Sequence, residues 1–286
     1  MTDLPDLRLE AEALARALPR LFVRTKASEA VHLGSAGRRR AGTGEDFWQY
    51  RRYAQEDDAS RIDWRRSAKG DALFVRETEL ETARSVHFWL DPHGGFDWTS
   101  DPARHTKANR ARIHMMAMAN LLSREGERVG VLGGAPAGFG KRALERLYSQ
   151  LSEPLSETPQ PPRRAGTIIL ASDFYDPMEV WRPRLAPLAA KARYGVLIAI
   201  SDPVERNFPF QGRVKLSRPG TLLKRILGRA ETVRETYFER LEQNREELRV
   251  LAGHLGWRLI EHDTSEEPIK GAAALHVVLS EMGGPL

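Results

Sequence analysis

Apolar positions along this chain fall into two kinds of pattern. Leu7, Leu9, Ala11, Leu14, Leu18 and Leu21 recur near helical spacing, and Pro19 falls where such a helix ends. Further on, short segments are apolar almost throughout: Ser85 to Leu90, Arg128 to Leu132, Gly166 to Ser172 and Tyr194 to Ser201. Strands with no polar face are expected in a parallel sheet covered on both sides. Between them lie helical periods: Ala103 to Arg124, with Ile113, Met116, Met118, Leu121 and Leu122 on one face, then Ala143 to Leu151, then Val180 to Arg193, which its prolines should break. Glu231 to Leu255 predicts a long amphipathic helix, Trp257 to Glu261 a strand and Pro268 to Met282 a closing helix.

Strands alternating with helices predict an α/β fold with a doubly wound, mainly parallel sheet. Ligand crevices in such folds open beyond the carboxyl ends of the strands. Three of the expected strands end in a carboxylate there: Asp91, Asp173 and Asp202. Each could equally cap the helix that follows. The loop GGAPAGFGK after Leu132 has glycines but no Lys-Ser/Thr ending, so it reads as a turn. SEPLSETPQPPRRAG is polar and Pro-rich, a surface loop.

Composition narrows the function classes. The 286 residues suffice for one large domain or two small ones, and the net charge is +5. With no cysteine, disulfides, thiolate metal sites and a Cys nucleophile are excluded. No apolar run approaches the roughly 20 residues of a membrane span, and the N-terminus lacks the basic start and apolar stretch of a signal peptide. A cytoplasmic location is expected. There is no Gly-x-Ser-x-Gly, no Walker motif and no His-Glu-x-x-His, so the chain reads as a non-enzyme. Residues 201–230 carry seven basic residues against Asp202 and Glu205, together with Phe208, Phe210, Leu222, Leu223, Ile226 and Leu227. That insert (near 203–230) is either a solvated surface or a site for an anionic surface, membrane more than nucleic acid. No specific nucleic acid is expected as a partner. A metal-dependent hydrolase built on Asp63, Glu77 and Glu79 is a further alternative, weakened because FVRETEL offers no acid-x-Lys spacing.

Residues 42–77, GTGEDFWQYRRYAQEDDASRIDWRRSAKGDALFVRE, interleave rings with charges. Arg52, Asp57, Asp58, Arg61, Asp63, Trp64 and Arg65 form its densest part. Arginine pairs bidentately with carboxylates and stacks on rings, so the segment is either a structural clamp or a groove that reads a partner. Together with SVHFWLD, it resembles the signature of the bacterial Domain of Unknown Function 58 family. The resemblance implies a von Willebrand factor A-like domain at 83–286, preceded by a β-containing segment at 1–82 that packs on it. It also implies partnership with a MoxR-type AAA+ ATPase, in protein maturation or complex assembly. Membrane-anchored von Willebrand A proteins are further partners it suggests. This chain resembles the short, soluble branch, cytoplasmic or peripheral to the inner membrane.

The von Willebrand A fold usually holds Mg²⁺ at an Asp-x-Ser-x-Ser motif, completed by a Thr and an Asp. Here the motif reads Asp91-Pro92-His93-Gly94-Gly95, and Asp173 matches the later aspartate. Two of the five side-chain ligands remain, a degenerate adhesion site with no cofactor expected. Asp97, Thr99, Ser100 or Asp176 could substitute, and zinc on His93 with Asp91 is a weaker alternative.

Overall fold

A computed structural model describes residues 4–21, 41–54, 62–68, 70, 72–79, 84–217 and 224–282. The chain forms two compact units, one of residues 1–22 with 84–282, the other of 23–83 with 283–286.

The larger unit is α/β. Its core is a five-stranded, wholly parallel sheet of β3 (Ser85–Leu90), β4 (Arg128–Val131), β5 (Gly166–Ser172), β6 (Ala192–Ser201) and β9 (Arg258–Asp263), ordered β4-β3-β5-β6-β9. All seven residues of β5 are buried, which explains why its sequence carries no polar alternation. On one face Trp89, Ile168, Leu170 and Leu197 pack with Met178, Trp181 and Leu185 of α5 (Met178–Ala189) and with Leu248 and Leu251 of α7 (Arg234–His254). The alternate residues Val86, Phe88, Ile169 and Ile198 are equally buried, on the opposite face. There α3 (Lys107–Arg124) packs with α1 (Leu4–Ala17), α4 (Gly140–Ser152) and α8 (Pro268–Glu281). The sheet is doubly wound, as the alternation of apolar strands and helical periods predicts.

Two details differ from the sequence reading. The stripe Leu7, Ala11, Ala15 is buried and α1 packs on α3, so this helix belongs with 84–282 and not with the signature segment of a 1–82 unit. Helix α5 runs unbroken through Pro183 and Pro187. Its buried Trp181, Leu185 and Leu188 anchor it to the sheet, and packing overrides the lost backbone bonds.

The basic insert holds α6 (Pro203–Asn207) and an antiparallel hairpin of β7 (Val214–Ser217) and β8 (Lys224–Leu227). Phe208 is buried and stacks on Phe210 and Tyr237 at centroid separations of 5.2 and 4.7 Å, so it is committed to the interior. Leu222 and Leu223 lie outside the described residues. Among the described residues no helix is long and apolar enough to cross a membrane.

In the smaller unit β1 (Ala41–Arg52) pairs antiparallel with β2 (Phe74–Glu79), with α2 (Trp64–Ser67) between them. A β-containing signature segment is therefore present. Residues 22–33, whose sequence reads as a further short strand, lie outside the described residues.

Candidate functional site

Strand β3 has β4 on one side and β5 on the other, so the chain leaves β3 one way and later returns to its opposite flank. This reversal opens a crevice at the carboxyl ends of β3 and β5. Asp91 follows β3 and Asp173 follows β5, and the Asp91 N–H donates to Ala171 O at 2.9 Å. The two carboxylates expected to share a site therefore end adjacent strands.

They are joined through His93. Its backbone N–H donates to Asp91 Oδ1 at 3.1 Å. The Phe96 N–H donates to His93 Nδ1 at 2.8 Å, which leaves the ring proton on Nε2. Nε2 lies 3.4 Å from Asp173 Oδ1. The second Asp91 oxygen accepts from the buried Ser172 hydroxyl at 2.6 Å. Beyond Asp173 the chain turns through Phe174 at φ 54°, a left-handed conformation unusual for a non-glycine residue. Local bonds hold it: Phe174 N–H donates to Ser172 Oγ, Asn244 donates to Phe174 O at 2.8 Å, and the ring packs 4.6 Å from Trp181. Backbone of this kind concentrates at functional sites, where the surrounding structure holds it against strain.

The group that organises the crevice is Lys107, in the first turn of α3, with a side chain only 1% exposed. Its ammonium lies 2.8 Å from Asp173 Oδ2 and 2.6 Å from Glu205 Oε1. The rings of Tyr175 and Trp98 flank it at 5.1 and 6.0 Å. Glu205 also accepts from the Asp202 N–H at 2.9 Å and from the Tyr175 hydroxyl at 3.2 Å. Burial pushes the Glu205 carboxyl above its ordinary range, against the pull of Lys107. Burial, and then the charge of Glu205, drive the Tyr175 phenol well upward and the Tyr237 phenol to about 12. Both phenols stay protonated donors.

Asp202, the third strand-end carboxylate, caps α6 in a reciprocal capping box with Glu205. It also accepts from the Ser100 N–H at 3.0 Å and from the Ser100 hydroxyl. Burial would raise its carboxyl, but the bonds from Ser100 and Val204 outweigh that and hold it below the usual range. Thr99 and Ser100 thus serve Asp202, and Asp97 accepts from Thr106 at 2.8 Å.

This donor set does not fit octahedral Mg²⁺. An ammonium occupies Asp173 Oδ2, Asp91 is held by a hydroxyl and a backbone N–H, and His93 presents a donor N–H. Among the described residues no group of three or more His, Asp or Glu is arranged to hold a metal ion. Lys107 stands as an internal counter-cation beside the carboxylates.

Beside the crevice, a groove of about 640 Å³ runs between the β5–α5 turn and α7. Tyr175 and Tyr237 form its floor nearest Glu205, and Arg240, Gln243 and Asn244 line its α7 wall. The Tyr237 hydroxyl donates to Glu205 O at 2.6 Å and ties groove to crevice.

The signature residues have a different surrounding. Asp63 caps α2 by accepting the Arg66 N–H at 2.9 Å, and the Asp63 carbonyl accepts the Ser67 hydroxyl. Ser67 Oγ in turn accepts the Phe74 N–H at 2.9 Å, and the Arg66 guanidinium lies 5.4 Å from the Phe74 ring. Trp64 is 64% exposed, and Arg52 and Arg65 are exposed. Asp57, Asp58 and Arg61 lie outside the described residues. Sequence reasoning missed Lys107, Glu205, Tyr175 and Tyr237. A lysine in a first helical turn ordinarily reads as solvated. Only the chain reversal at β3 places it against Asp173.

A family model described as Protein of unknown function DUF58 matches residues 49–247, more than half of the chain. No curated protein and no solved structure matches it.

Proposed function

The chain belongs to the DUF58 family, and from that premise we propose that it is a non-enzymatic adaptor that grips a partner protein at the carboxyl edge of its sheet. The observation that carries this reading is the Lys107 ion pair with Asp173 and Glu205. Catalytic acids, bases and nucleophiles need a group left free to act on substrate. Here the charged groups facing the crevice are spent on one another. What stays open is the groove walled by Arg240, Gln243 and Asn244, a concave surface suited to a protein segment.

The partner proposed is a MoxR-type AAA+ ATPase, on the strength of the sequence resemblance. The role is protein maturation or complex assembly, in the cytoplasm or at the inner face of a membrane. Docking on this reading needs no bridging metal, because the partner meets the side chains that line the groove.

The test uses the purified full chain and a MoxR-type ATPase from the same organism, with binding followed by calorimetry. Arg240→Glu and Gln243→Ala change exposed groove residues, and together they are expected to weaken binding by about tenfold or more. Chelation of divalent metal is expected to leave this chain's contribution unchanged. Failure of the wild-type chain to bind, or equal binding by the double variant, would refute the proposal.

A further inference from the structure

The face of β3 that carries His87 and Trp89 is covered differently along its length. Trp89 sits under α5, forming an edge-to-face pair with Trp181 at 6.4 Å. Helix α4 is engaged with α3, where the Tyr148 hydroxyl donates to Met116 O and Arg112 to Leu151 O. It is the loop 153–165 that crosses the Trp89 face, with the Trp89 indole N–H donating to Ser156 O at 3.0 Å. Between this loop and the β3–β4 edge lies a cavity of about 630 Å³.

Its lining is chemically one-sided. His87, Arg128, Arg163 and Arg164 face it, with Leu132 and Pro162 among the apolar walls, and no Asp or Glu contributes among the described residues. That is unlike the strand-end crevice, where Lys107 is neutralised twice over. Arg163 and Arg164 are exposed and form no ion pair among the described residues. The Arg128 guanidinium lies 4.6 Å from the Phe139 ring, a cation–π contact that positions it without cancelling its charge. His87 is only 9% exposed, and its Nε2 has no hydrogen-bond partner. Buried polar atoms are nearly always paired, so this nitrogen, in a residue that lines the cavity, lacks the partner such an atom ordinarily has. Burial also presses the His87 pKa below its ordinary value, the direction an adjacent anion would reverse.

We propose that this cavity binds a small anionic ligand, a carboxylate or phosphate ester on an apolar body. The arginines would take the anionic head, since guanidinium matches both groups bidentately. The proline and leucine walls would take the body. The volume lies in the range of small-molecule sites, about 300–1,000 Å³.

The experiment is an NMR titration of the full chain carrying ¹⁵N-histidine, with the His87 imidazole assigned through His87→Gln. The probes are 3-phenylpropionate, phenyl phosphate and the neutral 3-phenylpropanamide. At least one anionic probe is expected to shift the His87 resonances saturably at millimolar concentration, and which one does so identifies the head group. The amide is expected to leave them unmoved. Exposed-site Arg163→Ala/Arg164→Ala should weaken binding by about tenfold, as expected for loss of roughly 1.4 kcal/mol. No saturable shift with either anion, an equal shift with the amide, or unchanged affinity in the double variant would overturn the proposal.

Discussion

Replacing Lys107 by methionine removes the charge while keeping most of the stem volume. Asp173 and Glu205, with side chains 3% and 18% exposed, would then face each other without a counter-ion. At an effective dielectric constant of about 20, each close ion pair contributes roughly 6 kcal/mol of attraction before desolvation is charged against it. Deleting one member of a buried pair costs about 3–5 kcal/mol, because the remaining charge is stranded. The expected loss for Lys107→Met at pH 8 is therefore about 3–5 kcal/mol.

The loss should depend on pH with a definite sign. Burial already raises the Glu205 carboxyl and Lys107 opposes that shift, so removing Lys107 raises it further. A carboxyl whose folded pKa exceeds its unfolded value binds its proton more tightly in the native state, so stability rises as pH falls. The penalty at pH 5 should be visibly smaller than at pH 8. Adding Asp173→Asn and Glu205→Gln should recover most of the loss, since a neutral buried cluster is often as stable as a paired one. Urea denaturation of all variants at both pH values supplies the numbers. A Lys107→Met penalty under about 1 kcal/mol at pH 8 would refute the internal-cation reading, as would one equal at the two pH values.

Two further outcomes follow from the core. A Cβ at Gly195 would lie 1.9 Å from Cδ2 of the buried Trp257, so Gly195→Ala should cost about 3 kcal/mol or prevent folding; Gly253→Ala in α7, where nothing lies within 4 Å, should instead gain a few tenths to about 1 kcal/mol, both read by denaturant midpoint. Burial lowers the pKa of His87, His114 and His262, the last to about 4, whereas the unfolded chain takes up these protons near 6.5. Native stability should thus be complete above pH 7 and fall progressively toward pH 4, by at most about 3 kcal/mol for His262, with Glu205 working in the opposite sense; a flat stability profile from pH 7 to 5 would contradict this.

Much of the architecture is written in the local pattern. SVHFWL and GTIILAS carry no polar alternation because both faces are covered, and that alone implies a parallel sheet under two helical layers. The family is legible in the ring-and-charge segment and in SVHFWLD. What local pattern could not give is the pairing of distant residues. Lys107 and Glu205 are 98 positions apart, and each reads as an ordinary helix-start residue. Asp202 shows the converse: it sits at a strand end as expected, yet its bonds make it a helix cap. The prolines of α5 misled for a related reason, since Trp181 and Leu185 hold that helix from outside.

Two concave regions of the larger unit differ in how their charge is settled. In the strand-end crevice, a buried ammonium answers the Asp173 and Glu205 carboxylates, so a charged visitor would have to break an existing pair before making its own. The groove beside it carries a mixed lining instead, with Tyr175, Tyr237, Gln243 and Asn244 alongside the charged Glu179, Arg240 and Glu247. In the β3–β4 cavity three guanidinium groups and an unpaired imidazole nitrogen have no answering acid among the lining residues. An anion entering there breaks no ion pair among the lining residues. The same sheet therefore presents an edge whose carboxylates are engaged internally and a cationic flank suited to a small anion. Because Trp89 and His87 alternate along β3 on one face, a ligand at His87 lies against the same strand whose end carries Asp91.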